Sequence, residues 1–236
     1  MTRLFRVGLT IVLAALAAPI AAQDFDKGLA AAQAGDYETA FREWLPLAEQ
    51  GDATAQSYLG SMYANGWGVP QDFAEAIRWL RPAGEQGVVR AQTLLGMFYD
   101  EGMGVPEDDV EAVRWHRMAA EQGEAEAQMR LGFLLSRGIG KGVPKDESEA
   151  VRWFRLAAEQ ENAEGQTQLG LMIAQGFGVP QDLVQAHMWL YIAAENGNEA
   201  VRDVLVKLEI SMTDGQIADA QSRALVCMAT LYRDCE

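Results

Sequence analysis

The chain has 236 residues, 49% of them apolar, which is enough to bury one large core or a continuous row of smaller ones. Its 34 acidic residues against 19 basic ones give a net charge of −15. Such a surface repels phosphate backbones and anionic lipid, so nucleic acid and membrane surfaces are disfavoured as partners.

The first 22 residues stand apart. Arg3 and Arg6 give a positive start, an uncharged apolar run extends from Val7 to Ala18, and Pro19, Ala21 and Ala22 follow. This layout predicts a signal peptide over residues 1–22, cut after Ala22, and a mature chain that is periplasmic or secreted. The run is shorter than the roughly 20 apolar residues a membrane span needs, so no membrane insertion of the mature chain is expected. Without Arg3 and Arg6, 17 basic residues remain against 34 acidic ones.

From Asp24 onward the sequence repeats. Leu-Gly recurs at Leu59-Gly60, Leu95-Gly96, Leu131-Gly132 and Leu169-Gly170, and Val-Pro at Val69-Pro70, Val105-Pro106, Val143-Pro144 and Val179-Pro180. Trp44, Trp79, Trp115, Trp153 and Trp189 keep the same period. The irregular interval falls at the Gly138–Gly142 loop, where the other units have a bare Gly-x-Gly. A period that tolerates an insertion only in a loop is a structural period.

Each unit reads as two helices. In Ala91–Glu101, Leu95, Phe98 and Tyr99 share one face, Gly102 and Gly104 end the helix, and Val105-Pro106 forms an extended link. The second helix starts with Asp72 and Glu75, Asp108 and Glu111, Asp146 and Glu149, or Asp182 and Gln185, the spacing of a capping box. Gly60, Gly96, Gly132 and Gly170 inside the first helices imply close approach of a neighbouring backbone or of the recurrent Trp. Pro46 and Pro82 predict bends in two second helices. Arg81, Arg117 and Arg155 each precede a glutamate by four residues, which predicts weak pairs along a solvated face. Helix pairs this short cannot bury their apolar faces alone. The expected fold is therefore an all-α superhelical solenoid of five to six helix-pair repeats, starting at Asp24, Asp52, Val88, Glu124 and Asn162. The solenoid covers residues 23–200, and a divergent cap covers 201–236.

The motif Ala83–Gly87, Ala91-Gln92, Leu95-Gly96, Tyr99, Gly102–Pro106, Asp108, Glu111-Ala112 and Trp115 resembles the Sel-like repeats, a branch of the tetratricopeptide-like solenoids. The first unit departs from it with Gly35-Asp36-Tyr37, and the fourth has Glu161 where the others end on Gly. The resemblance implies an adaptor or scaffold that holds a protein or peptide on its concave face. Cys227 and Cys235 are too far apart on an unbroken helix, about 12 Å, to be bridged, so a disulfide requires the chain to turn between them. A cysteine-rich branch of the family bridges positions at this spacing. The same branch suggests an alternative function, a cell-wall-directed or β-lactam-binding hydrolase.

The sequence offers no nucleophile beside a base, and His116 and His187 lie in different units without metal spacing. Neither a catalytic residue nor a metal or cofactor is expected. A binding surface follows by subtraction from the repeated framework, leaving positions on the first helices whose residue type varies. These are Ser57, Thr93, Met129 and Thr167, then Ser61, Met97, Phe133 and Leu171, with Asp100 beside them. Trp67, Met103, Ile139 and Phe177 add large side chains at one edge. The competing reading is that these side chains close the core.

Overall fold

The structure is a computed structural model that describes residues 24–138, 142–233 and 235. The expected signal peptide, Ile139 and most of the inserted loop lie outside these residues. The described residues form twelve α-helices and a short 3₁₀ turn, with no strand among them. Five antiparallel pairs come first: α1 (Phe25–Gln33) with α2 (Tyr37–Glu49), α3 (Ala53–Asn65) with α4 (Phe73–Glu85), and α5 (Val89–Asp100) with α6 (Asp109–Ala120). Then follow α7 (Ala125–Arg137) with α8 (Glu147–Ala158), and α9 (Ala163–Gln175) with α10 (Leu183–Glu195). The 3₁₀ turn Glu199–Val201 leads into α11 (Arg202–Glu209) and α12 (Asp214–Ala229). These last two helices are not a sixth pair. Both pack on α10, and His187 Nε2 lies 2.8 Å from Glu209 Oε1 of α11.

Helix starts follow local chemistry. Asp24, Asp36, Asp52, Asp72, Asp108, Asp146, Asn162 and Asp182 are N-caps whose side chains accept backbone N–H groups of the first turn. The expected capping boxes are only half made. Glu75 and Glu111 turn to Arg78 and Arg114 three residues on, and Glu149 accepts from Arg117 and Trp153 instead. Among the described helices, the reciprocal box forms at α12, between Thr213 and Gln216. Pro46 and Pro82 sit in the last turns of α2 and α4, and both helices run on past them.

Glycine is required where units meet. Side chains placed on Gly60, Gly132 and Gly170 would collide with Leu80, Phe154 and Leu190, and one on Gly96 with His116. For these four glycines the covering residue is thus the one after the recurrent Trp, whereas Trp44 covers Gly28 in the first pair and Trp115 lies against Gly84 of α4. The second glycine of each loop has another duty. Gly68 adopts φ +69 and Gly104 φ +73, and a Cβ there would lie 2.8 Å from the Tyr37 backbone and 2.6 Å from that of Phe73. Each loop therefore rests on the first turn of the second helix in the preceding unit. Glu161 adopts φ 65 where the other units place Gly51, Gly87, Gly123 and Gly197, so the turn survives the substitution with a strained backbone.

The core is continuous but built in sections. Tyr63 packs against both the first and the second section, and Val113 against both the second and the third. A polar ladder accompanies it. Gln56, Gln92, Gln128 and Gln166 are buried on the first helices, and each donates its amide to a carbonyl ending the previous second helix, Ala48, Gly84, Ala120 or Ala158, at 2.9–3.2 Å. Their side-chain oxygens accept in turn from Gln86, Gln122, Gln160 and Asn196, which close the second helices of their own units, at 2.7–3.2 Å.

The arginine series does not form pairs within its helices. Arg117 reaches Glu149 of the next unit and holds its carboxyl below the usual range, and Arg81 binds the Tyr99 hydroxyl. Among the described residues, no ion pair joins Arg155 to Glu159. At the carboxy end, α12 stops, Leu231 and Tyr232 turn with φ 52 and 62, and Cys227 and Cys235 come to 4.6 Å between alpha carbons and form a disulfide. The required turn is present, and both cysteines are buried against the core.

Replacing Gln128 by Ala removes two hydrogen bonds of one rung, leaving the Ala120 carbonyl with the Gly123 N–H and the Gln160 amide with the Leu156 carbonyl. The substitution is expected to lower stability by about 2 kcal/mol, read as a shift in urea midpoint. His116 is fully buried with both ring nitrogens unpartnered, and burial pushes its pKa down to about 3. Below pH 6.5 the unfolded chain takes up a proton that the folded chain refuses, so stability falls as pH drops from 6.5 toward 3. Between pH 7.5 and 5 this amounts to about 2 kcal/mol. His116→Phe, matching Phe154 in the next unit, is expected to remove that share of the loss when unfolding is compared at the two pH values.

Candidate functional site

Residues four apart on a helix share a face, so the variable positions of each first helix form a row. First helices of neighbouring units touch, α3 with α5 and α5 with α7. This sets the first helices of these three units side by side along one face.

That row is only partly open. Ser57 and Ser61 are 2% and 1% exposed, and the Ser61 hydroxyl donates to the Ser57 carbonyl at 2.9 Å. Met129 and Thr167 are also buried, Thr167 donating to the Ala163 carbonyl and accepting from Asn198. For these four the core-closing reading holds, because small or flexible side chains facing the neighbouring helix are consumed by packing. Thr93, Met97, Phe133 and Leu171 are half-buried. Met97 and Phe133 lean on the core and keep part of their surface free, with Arg137 over the Phe133 ring at 5.0 Å.

Asp100 is half-buried in a charged cluster rather than free. Arg130 on α7 lies 3.6 Å from Asp100, 3.4 Å from Glu101 and 2.9 Å from Glu126. Burial pushes the Asp100 carboxyl above its ordinary value, with Arg130 opposing. At the edge, Trp67 and Phe177 are 39% and 44% exposed. Trp67 stacks on Tyr37 with centroids 5.5 Å apart, Lys145 Nζ sits 5.7 Å from the Phe177 ring, and Met103 is half-buried.

Periodic reasoning missed a cavity of about 240 Å³ beside the first unit, walled by Tyr37, Trp44, Tyr58, Ser61, Trp67 and Arg90. Arg90 also lines a second hollow with Val89, Thr93, Leu94 and Glu124. A third hollow, between α9, α10 and α11, includes Leu171 and Lys207. The available signal was the departure of the first unit at Gly35-Asp36-Tyr37, which reads in sequence only as a terminal irregularity. His116 and His187 are both wholly buried, so neither faces these hollows as a free ligand. Among the described residues, no group of three or more His, Cys, Asp or Glu is placed to hold a metal, and no helix is long and apolar enough to cross a membrane.

A family model described as Sel1 repeat matches residues 53–88, 89–124, 125–162 and 163–198. Those boundaries coincide with the helix pairs α3/α4 to α9/α10. Among solved structures, a Sel1 repeat protein from Oxalobacter formigenes is 32% identical with a TM-score of 0.74, covering 89% of this chain and 85% of that one. The protective antigen c5321 of uropathogenic Escherichia coli, with an SLR fold, is 29% identical with a TM-score of 0.56, and the match covers 90% of this chain and 55% of that one. No curated protein matches. The repeated glycine contacts, the glutamine ladder and the four matched segments converge on one conclusion: the chain belongs to the Sel1 repeat family.

Proposed function

We propose that this protein is an exported, non-catalytic scaffold or regulatory adaptor that holds a protein segment along the inner side of its solenoid. Sel1 repeats typically mediate protein interactions. The observation that carries the reading is the inner row itself, where Thr93, Met97 and Phe133 keep part of their surface open between touching first helices. Half-open Met and aromatic side chains suit an adaptable peptide contact, because they offer apolar area without a fixed shape. Export is supported by the leader pattern of residues 1–22 and by the buried Cys227–Cys235 disulfide, a bond that persists in oxidising compartments.

Cell fractionation should place the protein outside the cytoplasm with Gln23 as its first residue, and an unprocessed cytoplasmic chain would count against export. A photo-crosslinker at Thr93 should trap a defined protein adduct in cells, whereas one at Arg78 on the outer α4 should not. Met97→Asp with Phe133→Asp should reduce the adduct about tenfold while thermal unfolding stays cooperative. Equal adducts from both faces would reject the inner surface.

A further inference from the structure

The pocket beside the first unit differs from the rest of the inner face. Four aromatic rings, Tyr37, Trp44, Tyr58 and Trp67, wall a space of about 240 Å³, the size of one large side chain. The ring of Trp44 is tied down, its Nε1 donating to the Phe25 carbonyl at 3.2 Å, and Trp67 is stacked on Tyr37. The walls are therefore fixed before anything enters, which removes an ordering cost from binding.

At the mouth stands Arg90, an exposed residue whose guanidinium lies 5.8 Å from the Tyr58 ring. Among the described residues no carboxylate pairs with it, although the chain carries a net charge of −15 and most neighbouring arginines are engaged. Glu124 shares the second hollow with Arg90 without pairing to it. An apolar pocket with a cation that has no carboxylate partner on its own wall calls for a ligand that offers an aromatic group and an anion side by side.

We propose that this pocket is an anchor subsite for a partner segment that inserts one large aromatic side chain and sets a neighbouring acidic side chain on Arg90. The carboxylate comes from within the segment rather than from its end, because Arg90 also lines the second hollow along α5 and the bound chain continues past it. This deepens the proposed function and rests on the inner side being a protein-binding face. A cationic aromatic ligand is disfavoured by Arg90, and a large folded domain by the size of the cavity.

The test uses fluorescein-labelled, amidated peptides with a central Glu-Trp-Glu, Gln-Trp-Gln or Glu-Ala-Glu flanked by Gly and Ser, and a peptide ending in a free Trp carboxylate. Binding to the mature chain is read by anisotropy. Glu-Trp-Glu should bind saturably, Gln-Trp-Gln about fivefold more weakly, and Glu-Ala-Glu not measurably. Arg90→Gln should bring the Glu and Gln peptides within about twofold of each other, the size of residual context effects. Trp67→Ala should weaken both by a similar factor, with unfolding temperatures confirming that each variant is folded. Equal binding of Glu and Gln peptides, discrimination that survives Arg90→Gln, tighter binding of the free-acid peptide, or no saturable binding at all would each overturn the subsite. If the subsite fails while Met97→Asp with Phe133→Asp still abolishes crosslinking, the inner-face reading stands without this anchor.

Discussion

The buried glutamine of each first helix is the contact on which the solenoid's regularity depends. It sits where two second helices end, and its amide nitrogen satisfies a carbonyl of one while its oxygen receives the amide that closes the other. A primary amide donates from its nitrogen and accepts at its oxygen, so one side chain serves both groups. An apolar residue of the same size loses both bonds of the rung, each worth about 0.5–1.5 kcal/mol, while the carbonyl keeps a backbone N–H and the closing amide a second acceptor. The bonds are directional, so they fix how far each unit is displaced from the last, which hydrophobic contact alone leaves free. At the carboxy end the rung is kept with Asn196, which also donates to the Tyr232 hydroxyl at 2.8 Å, so the disulfide-closed tail is joined to the same ladder.

Around this ladder the units are held by contacts that admit limited variation. A helix-internal glycine receives a side chain from its partner helix, and that side chain is Leu80, Phe154 or Leu190 in three units but His116 in one. The histidine fills the space without satisfying its nitrogens, so one section of a repetitive core carries a cost the others do not. Glu161 shows the same tolerance in the backbone, holding a conformation that glycine supplies elsewhere. In a linear array each contact reaches only adjacent units, so such local costs are absorbed without disturbing the whole.

Function follows from what the packing leaves unused. Glycine contacts, loops and the ladder bind the two helices of a unit and the faces between units, and the first helices keep a strip whose residues differ from unit to unit. Where the first unit lacks a Gly-x-Gly-Val-Pro loop, Tyr37 opens α2 beneath the loop of the second unit. Trp67 stacks on it, and an aromatic pocket opens there. The break in the repeat and the aromatic hollow are thus one feature.

The amino-acid sequence determined the all-helical repeat, the helix starts and the loop glycines, because these depend on nearest neighbours and recur at a fixed period. It also indicated that Cys227 and Cys235 could meet only across a turn. It could not separate Ser57, Ser61, Met129 and Thr167, which packing consumes, from Thr93, Met97 and Phe133, which keep open surface, since variation between units marks both kinds alike. Nor could it show that Arg117 crosses to Glu149 rather than pairing along its helix, or that Arg90 reaches the Tyr58 ring and shares a pocket with Tyr37 and Trp67. Those outcomes depend on how one unit is rotated against the next, a geometry set jointly by glycine contacts and glutamine bonds dozens of residues apart. Only the folded chain brings those residues together.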